Sequence, residues 1–270
     1  MKGLRLYFLP FLIFFICDNI IFSQFQPGAK QIALSYSDVA SNNDVFSLFT
    51  NPSGLSLIEK SQFGVFYSPS PFGIKELANG FITYNQPTSF GSIAIGGMNY
   101  GFDLYKENRI YLGYSNVMSE KFLFGFSFFD QVINIKNYGS KNFFNFIFGS
   151  IFLINNDFCV GFTMQNPIRN KEYSSLTTNI RLGLTYRIID NAKVHFSVYK
   201  ELNFQISYSS GVEYSIFKFF TLYFGIQNNP NIFSGGIGIY YLFVNLTYAI
   251  NTHQDLGLTH QIGLTINFTE

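Results

Sequence analysis

The residues of this sequence that could carry out catalysis are a histidine and a serine two positions apart. His195 and Ser197 share one face of a predicted strand, where an imidazole base beside a hydroxyl nucleophile could hydrolyse an ester. Val194, Phe196 and Val198 form the opposite, apolar face. A working nucleophile also needs a group that orients the base and an oxyanion site, and the sequence displays neither. We therefore predict that the protein is not an enzyme.

Histidine and cysteine, which often bind metals, are too scattered here to form a site. His195, His253 and His260 lie far apart, and no two of them have the spacing of metal ligands within one strand or helix. We expect each to be a solvated residue of a loop or of an interior channel. Cys17 lies in a predicted leader, so Cys159 is left alone and cannot form an internal disulfide. No metal and no cofactor are expected.

Two glycine pairs lie inside strand-like segments. Glycine at such positions more often marks a bulge or makes room for a neighbour than it binds a phosphate, and this reading applies to Gly96-Gly97 and Gly235-Gly236. The sequence contains neither a P-loop nor a dinucleotide-binding fingerprint. Nucleotide-dependent chemistry is therefore not expected.

The composition favours contact with membrane lipid. Hydrophobic residues make up 47% of the chain and aromatic residues 20%, whereas charged residues make up 12%, about half the share of a soluble protein. After residue 23, no apolar run approaches the roughly 18 to 20 residues of a membrane-spanning helix. The net charge is +1 and the basic residues are scattered, so nucleic acid is not an expected partner. Any bilayer that this chain crosses must be crossed by strands.

From about Gln62 onward the chain consists of segments that alternate with period two. In residues 179–188, Leu182, Leu184 and Tyr186 share an apolar face, whereas Gly183 and Thr185 share the other face. The second face of such segments is mainly Gly, Ser, Thr, Asn and Gln, while the polar face of a β-sandwich would be richer in Lys and Glu. This pattern favours a barrel with a polar lumen.

The segments number about fourteen, an even count as bacterial barrels require. Tight connections at 86–88, 119–120, 155–156 and 190–191 alternate with longer ones at 69–77, 134–142 and 166–176, as in outer-membrane barrels. We therefore predict an all-β fold: a membrane-spanning antiparallel barrel over 61–270, in the bacterial outer membrane. The predicted strand cores start near Gln62, Ala78, Ser89, Glu107, Lys121, Phe143, Asp157, Thr178, Ala192, Phe204, Lys218, Asn231, Leu242 and Gly257.

The N-terminus is typical of an export signal. Lys2 and Arg5 precede an apolar core at 6–16, and a tolerable cleavage site ends at Ser23. We predict a signal peptide at 1–23. A short anchor helix is the alternative, but Asp18 and Asn19 interrupt the apolar run.

Residues 28–55, between the leader and the first strand, contain a long spaced motif of small and polar residues. The stretch GAKQIALSYSDVASNNDVFSLFTNPSGL resembles the N-terminal hatch signature of FadL-like outer-membrane transporters and the related PorV/PorQ proteins. Lys30 stands where that signature has Arg, and Ser35 and Tyr36 stand where it has two glycines. Asn43 and Ser53 also depart from it. The residues in register are Gly28, Ala29, Ala40, Asp44, Asn51, Pro52, Gly54 and Leu55.

The resemblance implies that residues 24–60 form a hatch that occludes the lumen. Asn51, Pro52 and Ser53 would form its turn, with Gly28 and Gly54 in the same motif, and Asp44 would anchor it. A charge inside a barrel needs pairing or water, so Asp44 could pair with wall charges; the alternatives are that these merely line a wet lumen and that 24–60 is a plain loop. The predicted lumen charges are Arg109, Arg181, Arg187 and Glu213.

Two functions follow from this resemblance. The first is a hatch-gated channel for hydrophobic small molecules. The second is a PorV/PorQ-like accessory role in type IX secretion, in which the barrel binds exported proteins. A structural protein without transport is a third possibility that the wall residues leave open. The ligand, a lateral gate and the oligomeric state are not encoded in any recognisable pattern.

Overall fold

The computed structural model describes residues 26–166, 178–202 and 204–268. The predicted leader, the end of the chain and most of the predicted long connection at 166–176 lie outside these ranges. Fourteen antiparallel strands form one closed sheet in which β1 pairs with both β2 and β14. The strands are β1 Gln62–Ser68, β2 Asn79–Thr88, β3 Gly91–Phe102, β4 Tyr105–Ser119, β5 Phe122–Ile135, β6 Gly139–Leu153, β7 Phe158–Gln165, β8 Asn179–Ile189, β9 Ala192–Glu201, β10 Ser207–Phe217, β11 Phe220–Gln227, β12 Ile232–Tyr241, β13 Val244–His253 and β14 Gly257–Asn267.

The predicted all-β fold with about fourteen strands is confirmed, and most strands begin within three residues of the predicted position. One connection was predicted wrongly. Residues 134–142 form no long loop, because Ile135 pairs with Gly139 and Ile133 with Lys141 across a tight turn. Gly139 has φ of 98°, which closes that turn. Polar residues made this hairpin look like a loop, although its strands β5 and β6 extend for 14 and 15 residues.

The outer wall of the barrel is apolar. Leu182 (51% exposed), Leu184 and Tyr186 point outward as their alternation predicts, whereas Gly183 and Thr185 point into the lumen. Apolar groups that face outward from a closed sheet are stable in lipid, and closure leaves no unpaired strand edge there. No helix within the described ranges is long and apolar enough to span a membrane.

The lumen is not uniformly polar, which corrects the sequence-based expectation. Polar and small side chains line most of β7–β14, but large apolar side chains point inward from β1–β6. Where both faces of a strand are apolar, the alternation does not show which face points into the lumen. The sequence pattern could therefore not reveal this asymmetry. The inward-facing apolar residues on β1–β6 include Phe66, Phe81, Met98, Tyr111, Phe129 and Ile147.

Residues 26–60, which we call the hatch segment, lie inside the barrel. Two short helices, α1 (Ala29–Ala33) and α2 (Ser47–Thr50), are followed by a 3₁₀ helix at Pro52–Leu57. Two further 3₁₀ turns, Pro71–Gly73 and Lys75–Leu77, lie in the connection between β1 and β2. The hydrophobic core is therefore built between the hatch segment and the inner wall, and not between two sheets.

Candidate functional site

A ring of small wall residues surrounds the hatch segment. A Cβ atom added at Gly125 would lie 2.5 Å from the backbone of Pro52, and one added at Gly161 would lie 2.6 Å from the backbone of Ala40. At these two glycines the hatch backbone thus packs directly against the wall backbone, where no larger side chain fits. Gly96 and Gly236 belong to this ring, so these glycines make room for a neighbour. The ring comprises Gly64, Gly96, Gly113, Gly125, Gly149, Gly161, Gly183, Gly211, Gly225, Gly236 and Gly263.

The predicted Asn51-Pro52-Ser53 turn links the two halves of the hatch segment. The Asn51 Nδ2 group donates to the Val39 carbonyl oxygen at 2.7 Å, and Asn51 Oδ1 accepts from Ser53 Oγ at 2.7 Å. Pro52 begins the 3₁₀ helix, as its fixed φ allows. An added Cβ at Gly54 would collide with a backbone carbonyl of the hatch segment, so only glycine fits there. The motif therefore folds the hatch segment against itself.

Asp44 also acts within the hatch segment. Its carboxylate accepts hydrogen bonds from Gln31 Nε2 at 2.8 Å and from the Phe46 backbone N–H at 2.9 Å. Burial raises the pKa of this carboxyl group, against the attraction of Lys30. None of the four predicted wall charges forms an ion pair with Asp44 in the described ranges. Asp44 is therefore bonded to donors of the hatch segment itself, and not to the wall charges that the sequence offered as possible partners.

The ionic link between hatch and wall is made by Lys30 instead. Its Nζ lies 3.4 Å from Glu213 Oε2 on β10, and Glu213 Oε1 lies 3.1 Å from Lys193 Nζ. Although burial lowers the pKa of Lys30, the combined attraction of the surrounding acidic groups outweighs burial, and the net pKa is raised; these groups are Glu213, Tyr240, Asp44 and Asp38. A charged link at this place was not predicted, although Lys30 was visible as the replacement of the signature's Arg.

His195 and Ser197 both contact the hatch segment and do not form a dyad. His195 Nδ1 lies 2.9 Å from Thr185 Oγ1 and 3.3 Å from Ser41 Oγ, and Ser197 Oγ donates to the Tyr36 carbonyl at 3.3 Å. His195 is only 2% exposed, so the prediction that it is solvated is wrong. Solvent is excluded because the hatch segment occupies the lumen at that level.

The other two histidines lie away from His195, and His253 is among the residues that line the cavity described below. His253 lies at the rim, where its ring packs on Phe72 with centroids 5.3 Å apart. His260 faces outward, with Nδ1 2.6 Å from Tyr248 Oη. Across residues 26–166, 178–202 and 204–268, no three His, Cys, Asp or Glu side chains are grouped so that they could hold a metal ion.

The predicted lumen charges have different environments. Arg109 pairs with Glu107 at 2.5 Å on its own strand. Arg187 lies on the same strand face as Arg181 but at the rim of the tight turns, where it is about half exposed and 3.9 Å from Asp157. Arg181 projects into the lumen, where its guanidinium carbon lies 5.4 Å from the ring centre of Tyr36. Strand alternation placed all of them on one face, but only their height along the barrel decides which are buried.

A cavity of about 220 Å³, which we call the vestibule, lies between the hatch segment and the rim at which the connection from β1 to β2 lies. Gln26, Ile32 and Tyr36 of the hatch segment line it on one side. Phe72 contributes to the opposite side, where its backbone N–H donates to Thr259 Oγ1 at 3.1 Å. Wall residues around it include Phe66, Arg181, Tyr199, Glu201, Asn251 and Gln261.

The described wall around the vestibule is continuous. Each strand pairs with both neighbours, and register shifts occur only between Val117 and Ser119, Arg187 and Ile189, and Ser215 and Phe217. All three shifts lie beside tight turns, at the rim opposite the vestibule. A side opening at the level of the vestibule is therefore not present in the described ranges.

No model of a known protein family matches this sequence, and no curated protein matches it. Solved structures do match. The toluene transporter TodX of Pseudomonas putida has a TM-score of 0.66 at 11% identity, covering 90% of this chain and 99% of its own. A Pseudomonas aeruginosa FadL homologue has a TM-score of 0.60 at 12% identity, covering 90% and 98%. The Acinetobacter baumannii outer-membrane protein Omp33 has a TM-score of 0.54 at 6% identity, covering 77% and 98%.

At these identities the matches show the fold. The chain has the fold of the fourteen-stranded outer-membrane barrels represented by TodX and FadL homologues. The fold agrees with the resemblance to the FadL-like proteins, whereas these three matches do not show the narrower PorV/PorQ assignment.

Proposed function

We propose that this protein is an outer-membrane channel for small hydrophobic molecules, with the hatch segment as its gate and the vestibule as its outer binding site. The observation that carries the proposal is the fit of a separate segment into a ring of wall glycines. Such a lumen is closed by a part that can move, and not by side chains of the wall itself. TodX, which shares this fold, is a toluene transporter.

The domain boundaries form part of the proposal. Residues 1–23 direct export and are removed, residues 24–60 act as the hatch, and residues 61–270 form the barrel. Glycine contacts suit a gate because they are van der Waals contacts between small groups, which can slide without exposing a large apolar side chain. Since the described wall has no side opening, the path runs along the lumen, past α1.

The docking role in protein secretion remains the alternative prediction. It would use a surface that projects from the outer rim. The described connections at that rim are short, as at 103–104, 136–138, 228–231 and 254–256. The connection between β1 and β2 folds back over the barrel, with Phe72 bonded to Thr259. These features favour the channel.

A reversible tether tests the gate. Ala29 Cβ lies 3.2 Å from the position of a Cβ on Gly263, close to the roughly 3.5–4.5 Å of a disulfide. In a Cys159→Ser background, the double variant Ala29→Cys/Gly263→Cys should block uptake of a neutral aromatic dye into proteoliposomes when oxidised and restore it when reduced. Each single cysteine variant serves as the control.

Deletion of residues 26–57 provides the opposite test. It should raise dye uptake and remove its selectivity, because no other described segment fills the lumen. Unchanged uptake in both the oxidised tether and the deletion would contradict the channel. Loss of surface-protein secretion by the deletion strain with unchanged dye uptake would instead support the docking role.

A further inference from the structure

We infer that the vestibule binds compact aromatic monocarboxylates and that Arg181 binds their carboxylate; this inference rests on the proposed channel function. The first observation is the incomplete pairing of Arg181. Its one hydrogen bond to the described residues is donated by Nη1 to Gln26 Oε1 at 3.2 Å, and no carboxylate of those residues lies within 4.0 Å of it. A guanidinium has five N–H donors, and a carboxylate can accept two of them side by side.

Two tyrosines hold this guanidinium in place. Its central carbon lies 5.4 Å from the Tyr36 ring centre and 4.7 Å from the Tyr199 ring centre. Tyr36 is itself held by its hydroxyl, which donates to the Gln26 carbonyl at 3.0 Å. The cation is therefore positioned before any ligand arrives, which reduces the entropy cost of binding.

The backbone at Tyr36 supports a functional role for this arrangement. Ser35 and Tyr36 have φ of 51° and 55°, in the left-handed region that glycine adopts most easily. A tyrosine that keeps this conformation places a large ring at the vestibule at a cost in backbone strain. Strain of this kind is concentrated at binding sites, and glycine here would leave Arg181 without one of its two rings.

The size and lining of the vestibule define the rest of the ligand. Its volume of about 220 Å³ lies below the roughly 300–1,000 Å³ of pockets for drug-sized molecules, so the ligand is compact. Phe66, Phe72 and Ile32 offer apolar contacts to a flat body. The other charged lining group, Glu201, has partners of its own, among them the Tyr199 hydroxyl at 3.0 Å. A single open cation favours a monoanion.

The test compares two matched fluorescent probes, 2-naphthoate and its neutral isostere 2-naphthamide, on the purified full-length barrel in detergent. The chain contains no tryptophan, so naphthyl fluorescence is read without an indole background. We expect naphthoate to bind at least about tenfold more tightly, as a charge-assisted hydrogen-bonded pair allows. Arg181→Gln should remove this preference and leave naphthamide binding unchanged.

Arg187→Gln is the matched control, because it removes a charge from the same face of the same strand outside the vestibule. It should leave the preference intact. Arg181→Lys keeps the positive charge but not the paired N–H donors of the guanidinium, so the preference for naphthoate should shrink but persist. If Arg181→Gln does not fold, Arg181→Lys tests the carboxylate site in its place. Equal binding of both probes to the native protein, or equal loss of both in either Arg181 variant, would overturn the inference.

The same measurements separate this inference from the channel function. Naphthamide that binds and enters proteoliposomes while naphthoate has no advantage would overturn only the carboxylate site. If neither probe binds the native protein, the carboxylate site is overturned as well, and the tether experiment then decides the channel independently.

Discussion

The two helices of the hatch segment contact opposite sides of the lumen by different chemistry. Helix α2 lies against β3 and β4, where the Phe49 ring is 4.7 Å from Tyr111 and 5.3 Å from Phe81. Helix α1 lies against β11–β14, beside the Lys30–Glu213 ion pair. Apolar contacts lose their stabilising free energy when water enters, whereas each charged group of an ion pair can be hydrated in place of its partner. Under the proposed gate, this difference predicts that α2 anchors the hatch segment and that the α1 side opens.

The largest effect is expected on the α2 side. Phe49→Ala would remove a buried ring from the aromatic cluster, at a cost of about 3–5 kcal/mol to hatch docking. Hydrogen exchange of the backbone of residues 45–57 should then accelerate strongly. Phe128→Ala is the control, because Phe128 faces outward on β5. Equal exchange rates in native and Phe49→Ala proteins would contradict the anchoring role.

The next effect is expected at the α1 ion pair. Glu213→Gln would leave Lys30 without its carboxylate, and an unpaired buried charge costs about 3 kcal/mol. The double variant Lys30→Met/Glu213→Gln should recover part of the loss, since it removes both charges of the pair and leaves Lys193, the other partner of Glu213, partly exposed to solvent. Exchange of residues 29–34 measures both. Additive losses in the double variant would show that the two residues do not act as a pair.

Acidity should stabilise the α1 side. Burial raises the pKa of Asp38 from 3.8 to about 6, against the attraction of Lys30. Because the folded pKa is the higher one, the stabilisation is complete below the unfolded value and is lost as the pH rises through about 6. The difference is on the order of 3 kcal/mol.

After correction for the intrinsic pH dependence of amide hydrogen exchange, the exchange rates of residues 29–38 should accordingly be slower at pH 5 than at pH 8. Asp38→Asn should reduce this dependence without removing it, because the pKa of Asp44 is raised by burial in the same direction. A steeper dependence in Asp38→Asn would contradict the assignment.

The smallest effect is expected at the rim. Arg187 and Asp157 are both about half exposed and 3.9 Å apart, so Arg187→Gln should change stability by no more than about 0.5 kcal/mol. Thermal unfolding of the barrel in detergent measures this. A loss of stability comparable with that caused by Glu213→Gln would show that burial does not determine how much these two ion pairs contribute.

Several features of the site could be predicted only in part. The Asn51-Pro52 turn was predictable, because it depends on residues adjacent in the chain. The partner of Asp44 was not, since Gln31 lies in the same segment and competes with every wall charge. The pairing of Lys30 with Glu213 joins residues far apart in sequence, and only the closed barrel brings them together. The glycines could have indicated where the hatch segment touches the wall, because each of them lies on the face of its strand that points into the lumen.

Sequence alone determined the strands, their even number and their outward face, because alternation and turn residues act over a few neighbours and every strand must satisfy its backbone with the next one. The tertiary structure alone decided the interior. Which charges are buried, which glycines touch the hatch and where the vestibule lies depend on the height of each residue along the barrel and on the path of one segment across the lumen. Strand alternation specifies a face but contains no information about what lies opposite that face.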